Sequence, residues 1–284
     1  MVKSLAKLVA LLILLSQAPV SIAEAAPRRI VSQNQCADQY LIALADRNQI
    51  AALTIYARDR SLSYFAKEAQ RYPVIANGAE QVILLKPDLI IGNPFWRAES
   101  QAMLKQFNMP IMDLPTADSF EQIVEQTRLV AKAVGHPDRG ETLIAQMEAQ
   151  LAKIPAPSGP RPAVVHYQRR GFVTGMETLM DDMMQRLGLQ NLASRFVGEK
   201  LARVPLELIV TANPDYLLFT TSLGEPKDLG MELLAHPVLA RQFGPARILQ
   251  VPEALTICGG PSYPAAVATL YAQLHPADHA AARQ

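Results

Sequence analysis

Few side chains in this 284-residue sequence stand at spacings that point to chemistry, and two glutamates lead them. Glu80 and Glu207 each precede a Pro-Asp pair by seven positions, in Glu80-Gln-Val-Ile-Leu-Leu-Lys-Pro87-Asp88-Leu-Ile-Ile and Glu207-Leu-Ile-Val-Thr-Ala-Asn-Pro214-Asp215-Tyr-Leu-Leu. A matched pair of carboxylates offers two ion-pairing groups at equivalent places of a repeated unit. Cys36 and Cys258 stand 222 positions apart; the sequence leaves open whether they are buried thiols, a bridge or neighbours of a ligand. Trp96, the one tryptophan, lies in Asn-Pro-Phe-Trp-Arg, a turn sequence with no periodic reason for burial, and Arg169-Arg170 forms a second exposed-type cluster. Motifs of covalent or metal chemistry are missing: there is no Gly-x-Ser-x-Gly elbow, His-Glu-x-x-His helix or phosphate-cradling glycine loop. The five histidines, His136, His166, His236, His275 and His279, are scattered.

The elements that must position these residues alternate. Arg29–Val31, Ile50–Thr54, Asp88–Ile91 and Pro110–Leu114 read as strands, the third bounded by Pro87 and Gly92 as a buried parallel strand should be. Ala37, Tyr40, Leu41, Leu44 and Ala45 recur at helix spacing between the first two, and Ala98–Phe107 reads as a helix before the last. A second round begins with strand Ala163–Tyr167. It continues with a helix over 178–187, strands Tyr216–Phe219 and Arg247–Gln250, and a final helix over 264–274. Phe107 to Pro115 is echoed by Phe243 to Pro252, in the same order as the glutamate echo. Two similar α/β lobes with parallel-rich sheets are therefore expected.

Between them lie two amphipathic helices. One runs over 119–134 with Asp118 as its cap; the other starts at Pro137 and carries Leu143, Ile144, Met147, Leu151 and Ile154 on one stripe. Pro155-Ala-Pro-Ser-Gly-Pro-Arg-Pro162 then interrupts any regular element. The expected organisation is a leader over 1–25, an N-terminal lobe over 26–135, a bridging helix over 136–155 and a C-terminal lobe over 156–284.

Composition narrows the function classes. Half of the residues are hydrophobic and 27 Lys and Arg balance 26 Asp and Glu, so no basic field exists to attract nucleic acid. Met1–Ala25 has a basic start at Lys3 and Lys7, an apolar run over 8–15 and a small-x-small site at Ala23-Glu-Ala25, the pattern of a secretory leader cleaved near Ala25. The run is shorter than the roughly 20 residues a bilayer span needs, and no cysteine flanks the cleavage site for lipid attachment. Losing this leader takes the formal charge from +1 to zero.

Glu80 to Gly92, with its Leu-Lys-Pro-Asp-Leu-Ile-Ile-Gly core, resembles the signature of periplasmic solute-binding proteins of the iron-complex and cobalamin type, which serve ABC importers. With the echo at Glu207, the resemblance extends over the chain beyond the leader. It implies two Rossmann-like lobes bridged by one long helix (class III), a periplasmic location, and a monomer that is not an enzyme and holds no cofactor or metal of its own. Its partner is the transmembrane permease of an importer, and Glu80 and Glu207 are the residues that dock into basic pockets on its two subunits. Such carboxylates set orientation and on-rate, each exposed pair contributing about 0–1 kcal/mol.

A ligand is expected where loops leave the carboxyl ends of the strands. Those positions are Gln35 and Cys36; Tyr56 and Arg58; Asn93, Phe95 and Trp96; Tyr167, Arg169, Arg170 and Phe172; Thr221 and Ser222; and Cys258 to Pro261. Tyr56 falls where cobalamin-binding relatives place an aromatic contact. Aromatics and arginines suit a flat, partly anionic metal chelate, a ferric siderophore, heme or cobalamin/corrinoid, through stacking and charge. The sequence departs from the cobalamin-binding relatives before each docking glutamate, where Ile75-Ala-Asn-Gly78 and Leu201-Ala-Arg203 replace an aromatic. The competing readings are a zinc or manganese receptor, which needs about three or four converging His, Asp or Glu ligands, and a periplasmic metallochaperone or hydrolase on the same architecture.

Overall fold

A computed structural model describes residues 26–76, 78–92, 98–198, 200–221 and 236–276. The expected leader over 1–25 lies outside these residues. In chain order the first half contains β1 (Ile30–Ser32), α1 (Gln35–Leu44), β2 (Ile50–Thr54), β3 (Val74–Ile75), α2 (Ala79–Leu84), β4 (Leu89–Gly92), α3 (Ala98–Gln106) and β5 (Ile111–Asp113). Two helices follow, α4 (Phe120–Ala133) and α5 (Pro137–Leu151). The second half contains β6 (Ala163–His166), β7 (Phe172–Thr174), α6 (Leu179–Arg186), β8 (Gln190–Asn191), β9 (Leu201–Arg203), α7 (Leu206–Ala212), β10 (Tyr216–Thr221), α8 (Pro237–Phe243), β11 (Ile248–Pro252), α9 (Glu253–Thr256) and α10 (Tyr263–Leu274).

The first sheet has the order β3-β2-β1-β4-β5 and the second β11-β10-β6-β8, with every pair parallel. Read from the centre outward the two orders coincide, β1 matching β6, β4 matching β10 and β5 matching β11. Each sheet is covered on both faces, as the apolar strand runs require. Ile30 and Ile91 pack into one cluster with α1 and α4, while Val31 and Ile90 pack into another with α2 and α3. In the second sheet Val164 and Leu218 share a core with α4, α5, α6 and α10, and Val165 and Leu217 share one with α7 and α8.

The sequence echo has a structural cause. Lys86 and Asn213, which precede the two prolines, both take left-handed backbone (φ 45° and 43°) and turn the short helix into the strand. The following aspartate then caps the start of the neighbouring strand. Asp88 accepts from the amides of Arg28 and Arg29 at 2.7 and 2.8 Å, and Asp215 from the amide of Ala163 at 2.7 Å. In the second echo Asn108 and Gly244, which follow the two phenylalanines, both have positive φ (52° and 60°).

Two expectations needed adjustment. The cap of α4 is Ser119, whose hydroxyl accepts from Gln122 N at 3.3 Å, whereas Asp118 pairs with Lys200 at 2.6 Å. The helix α5 ends at Leu151, short of the expected 155, and at 1.5 Å per residue is about 22 Å long. The antiparallel pairing of β7 and β9, outside the main sheet, was not foreseen.

Helix α5 connects the halves physically. Its start is held to the first half by Arg139, which donates to Leu44 O at 3.1 Å and pairs with Asp46 at 2.6 Å, and by His136 beside Gln49 at 2.9 Å. Further along, Ile144, Met147 and Leu151 belong to the core of the second half. Its close packing on α4 needs Gly140, where an added Cβ would lie 2.6 Å from Ala131 Cβ. Helix propensity favours Gly140→Ala by about 1 kcal/mol, but overpacking a tight contact costs about 1–3 kcal/mol. The second effect should win, so Gly140→Ala is expected to lower the urea midpoint at unchanged slope; a raised midpoint would show that α4 and α5 separate without strain.

Candidate functional site

The carboxyl ends of β1 and β2 build a buried polar cluster around α1. Asn34 caps this helix, accepting from Cys36 N at 2.7 Å and Ala37 N at 3.2 Å. One turn on, Asp38 is fully buried and accepts from the amide and the hydroxyl of Thr54 at 3.0 and 2.5 Å. Burial pushes its carboxyl up to about 7, against the lowering effect of the Thr54 hydrogen bonds. Gln39, beside it, is 0% exposed with both amide atoms unpaired. Tyr56 is half-buried on the short 3₁₀ turn that follows β2. Arg58, on the same turn, donates to Tyr72 O at 2.6 Å while its Nε is buried and unpaired.

The second half offers a counterpart at the end of β6. His166 is 4% exposed, with Nδ1 2.7 Å from Thr174 Oγ1, which also accepts from Gln168 Nε2 at 2.5 Å; its Nε2 has no partner. Burial pulls its imidazole down to about 4, so the ring is neutral. Tyr167, expected at the ligand surface because it follows the strand, is instead 0% exposed and packs with Val165, Val173, Leu192 and Phe219. The unforeseen β7–β9 ribbon folds over it, bridging at Val173. Burial, and next the Glu207 carboxylate, hold its hydroxyl above the ordinary tyrosine range. Arg169 and Arg170 are exposed beside it, Arg170 with left-handed backbone (φ 59°), and Phe172 is half-buried in β7.

Cys36 and Cys258 form a disulfide, which answers the question the sequence left open. Asn93, Phe95, Trp96 and Ser222 lie outside the described residues. Glu80 and Glu207 are both exposed, each at the second position of its short helix, α2 and α7. A cavity of about 420 Å³ opens beside Glu207, lined also by Arg170, Arg203, Leu206 and His236. A larger cavity, about 590 Å³, is elsewhere: Arg161, Leu189 and Tyr216 put it at the amino ends of β6, β8 and β10, under the proline segment. Among the described residues no group of three or more His, Cys, Asp or Glu stands together as a metal site.

Sequence reasoning missed Asp38, Gln39, Thr54, Gln168 and Thr174. One signal was available for Asp38 and Gln39, two polar residues set among the buried positions of a short helix.

This combination of two parallel α/β sheets, one connecting helix and paired glutamates defines a two-lobed binding protein of class III. The chain belongs to the periplasmic binding protein family, whose sequence profile matches residues 30–246. A cobalamin-binding protein of Halobacterium salinarum is 23% identical over 203 residues, covering 68% of this chain and 53% of that protein. The chain thus spans about half the length of that curated relative. Among solved structures, the periplasmic heme-binding protein RhuT of Roseiflexus sp. RS-1 in apo form is 26% identical with a TM-score of 0.72, covering 88% of this chain and 98% of that one. The vitamin B12 binding protein BtuF of Vibrio cholerae shares the fold at 16% identity and a TM-score of 0.65, with 89% and 98% covered.

The two buried titratable groups give stability a defined pH dependence. Asp38 binds its proton more tightly folded than unfolded, so its contribution is full below about pH 4 and is lost as pH rises to about 7. His166 is depressed when folded, so its contribution is present above about pH 6.5 and is lost as pH falls to about 4. At 1.36 kcal/mol per unit the change amounts to about 4 kcal/mol for Asp38 and about 3 kcal/mol for His166. Because the two slopes oppose each other, melting curves from pH 4 to 8 should show Asp38→Asn exposing a decline toward acid and His166→Gln exposing a decline toward neutrality. Unchanged profiles in both variants would refute the burial of these groups.

Proposed function

We propose that this protein is the ligand-capturing component of an ABC importer for a metal chelate, a ferric siderophore, heme or cobalamin/corrinoid, which it delivers to the membrane permease. Membership of the periplasmic binding family, with a heme-binding protein and a cobalamin-binding protein among its relatives, supports the ligand class. The observation that carries the delivery step is the matched pair Glu80 and Glu207, exposed at the same position of the same short helix in both halves. Such a pair addresses two basic sites at once and fixes orientation.

The protein acts as an exported monomer and performs no chemistry on its cargo. Its lobes are residues 26–135 and 156–284, joined by the bridging helix. The chelate enters at the carboxyl ends of the strands, where Tyr56, Arg58, Arg169 and Arg170, with Phe95 and Trp96 and the buried wall at Tyr167 and Cys258, form its surroundings. Stacking on aromatic faces and charge pairing with arginine hold a flat, partly anionic ligand.

Titration of the purified protein with cobalamin, hemin and ferric siderophores, followed by Trp96 fluorescence, should give a saturable response to one of the three. Trp96→Ala should weaken that binding by about 1–3 kcal/mol, the range for burying an aromatic, and an unchanged dissociation constant would remove Trp96 from the site. The double reversal Glu80→Lys and Glu207→Lys should abolish uptake through the importer while ligand affinity stays intact. Loss of affinity in that variant would assign the glutamates to the ligand and sink the docking role.

A further inference from the structure

The Cys36–Cys258 disulfide joins the two halves of the protein, and its neighbourhood shows what that does. Cys36 is the second residue of α1 and follows β1 of the first sheet, whereas Cys258 lies between α9 and α10, behind β11 of the second. Other cross-links sit beside it. Tyr40 donates to Gly259 O at 3.1 Å, and an added Cβ on Gly259 would lie 2.3 Å from Ala117 O, so these two backbones are in close contact. The Phe120 and Tyr263 rings are 5.2 Å apart, and Lys200 pairs with Asp118 at 2.6 Å. All of these contacts lie on the side of the sheets covered by α1, α4, α5, α6 and α10. Glu80 and Glu207 belong to α2 and α7, which cover the opposite faces.

We infer that Cys36–Cys258 is a covalent hinge pin, which with α5 fixes the axis about which the lobes part and directs opening to the face that carries Glu80 and Glu207. One bridging helix alone leaves two lobes free to swing and twist about their connection. A second attachment point, made by cysteines 222 residues apart in sequence, removes the twist and leaves rotation about the line between the two. The cleft is thereby held near its bound shape before ligand arrives, which lowers the ordering cost of binding and slows release. An oxidising compartment is where such a bond persists. The consequence for ligand release rests on the function proposed above; the hinge itself does not.

Non-reducing peptide mapping of the full exported chain should recover the Cys36 and Cys258 peptides joined, and free thiols in the folded protein would overturn the inference. The oxidised protein is then compared with the same protein reduced in the folded state and with Cys36→Ala/Cys258→Ala. Hydrogen exchange at 36–45 and 257–263 should rise and small-angle scattering should show a larger radius of gyration on loss of the bond. Melting should fall by about 10 °C, and hemin, once bound, should dissociate about tenfold faster. Should the double variant fail to fold, the reduced wild-type protein supplies the comparison. Identical exchange and scattering with and without the bond would overturn the hinge. A chain that binds none of the chelates would instead refute the proposed function, with exchange and scattering still deciding the hinge.

Discussion

One carboxylate in each half governs where everything else stands. Parallel strands have evenly spaced, slanted hydrogen bonds and no tight turn to set their register. Asp88 supplies the missing reference by holding the amides of Arg28 and Arg29 at the entrance to β1 while it opens β4 itself, and its own amide donates to Arg29 O at 3.1 Å. With the amino ends pinned, the carboxyl ends come level, Ser32 lying opposite Ile91. The left-handed residue before the proline reverses the chain, so the short helix runs back along the strand and its first turn stands near the sheet's carboxyl edge. The glutamate and the ligand-side loops are thus placed by the same element. Asp215 does the same for β6 and β10.

The halves diverge where the second acquires its β7–β9 ribbon. In the first half, β3 precedes the glutamate helix and joins the main sheet beside β2; in the second, β9 holds that place but pairs with β7. This ribbon covers Tyr167 and brings Arg203, whose Nε donates to Arg170 O at 2.9 Å, up to Glu207. Four residues before Glu80 stands Ala76. On that side the neighbour one helical turn on is Leu84, 80% exposed. Two equivalent carboxylates therefore face outward from different surroundings, one apolar and one rich in arginine.

Most of the architecture was legible because it repeats. Strands bounded by proline and glycine, helices with an uninterrupted stripe, and the Glu-x₆-Pro-Asp echo all express local physics that a sequence carries on its face. The two-residue strands β3 and β8 are too short for any period to register, and the β7–β9 pairing depends on contacts between segments nearly 30 residues apart. The site was harder to read. A strand-end position locates a residue along the sheet but not the direction of its side chain, so Tyr167 went to the core while Arg169 and Arg170 remained at the surface. Asp38 and His166 were legible as residues and not as a site, because a buried polar group is defined by what covers it. The pairing of Cys36 with Cys258 is set by the docking of two lobes, which no spacing encodes.

Asp38 and His166 have one cause and opposite effects. Each sits at the carboxyl edge of its sheet, each is removed from water, and desolvation favours the neutral form of both. The neutral form is protonated for the acid and deprotonated for the base. Between about pH 4 and pH 6.5 the folded protein therefore holds a proton on Asp38 that the unfolded chain releases, and lacks a proton on His166 that the unfolded chain takes up. Stability changes by about 1.4 kcal/mol per pH unit in opposite directions for the two, so their sum is nearly flat across that window. Against a total stability of about 5–15 kcal/mol, either group alone would make folding strongly dependent on an external pH that an exported protein does not control. Carried together, one on each half, they leave the stability of the whole almost indifferent to moderate acidification.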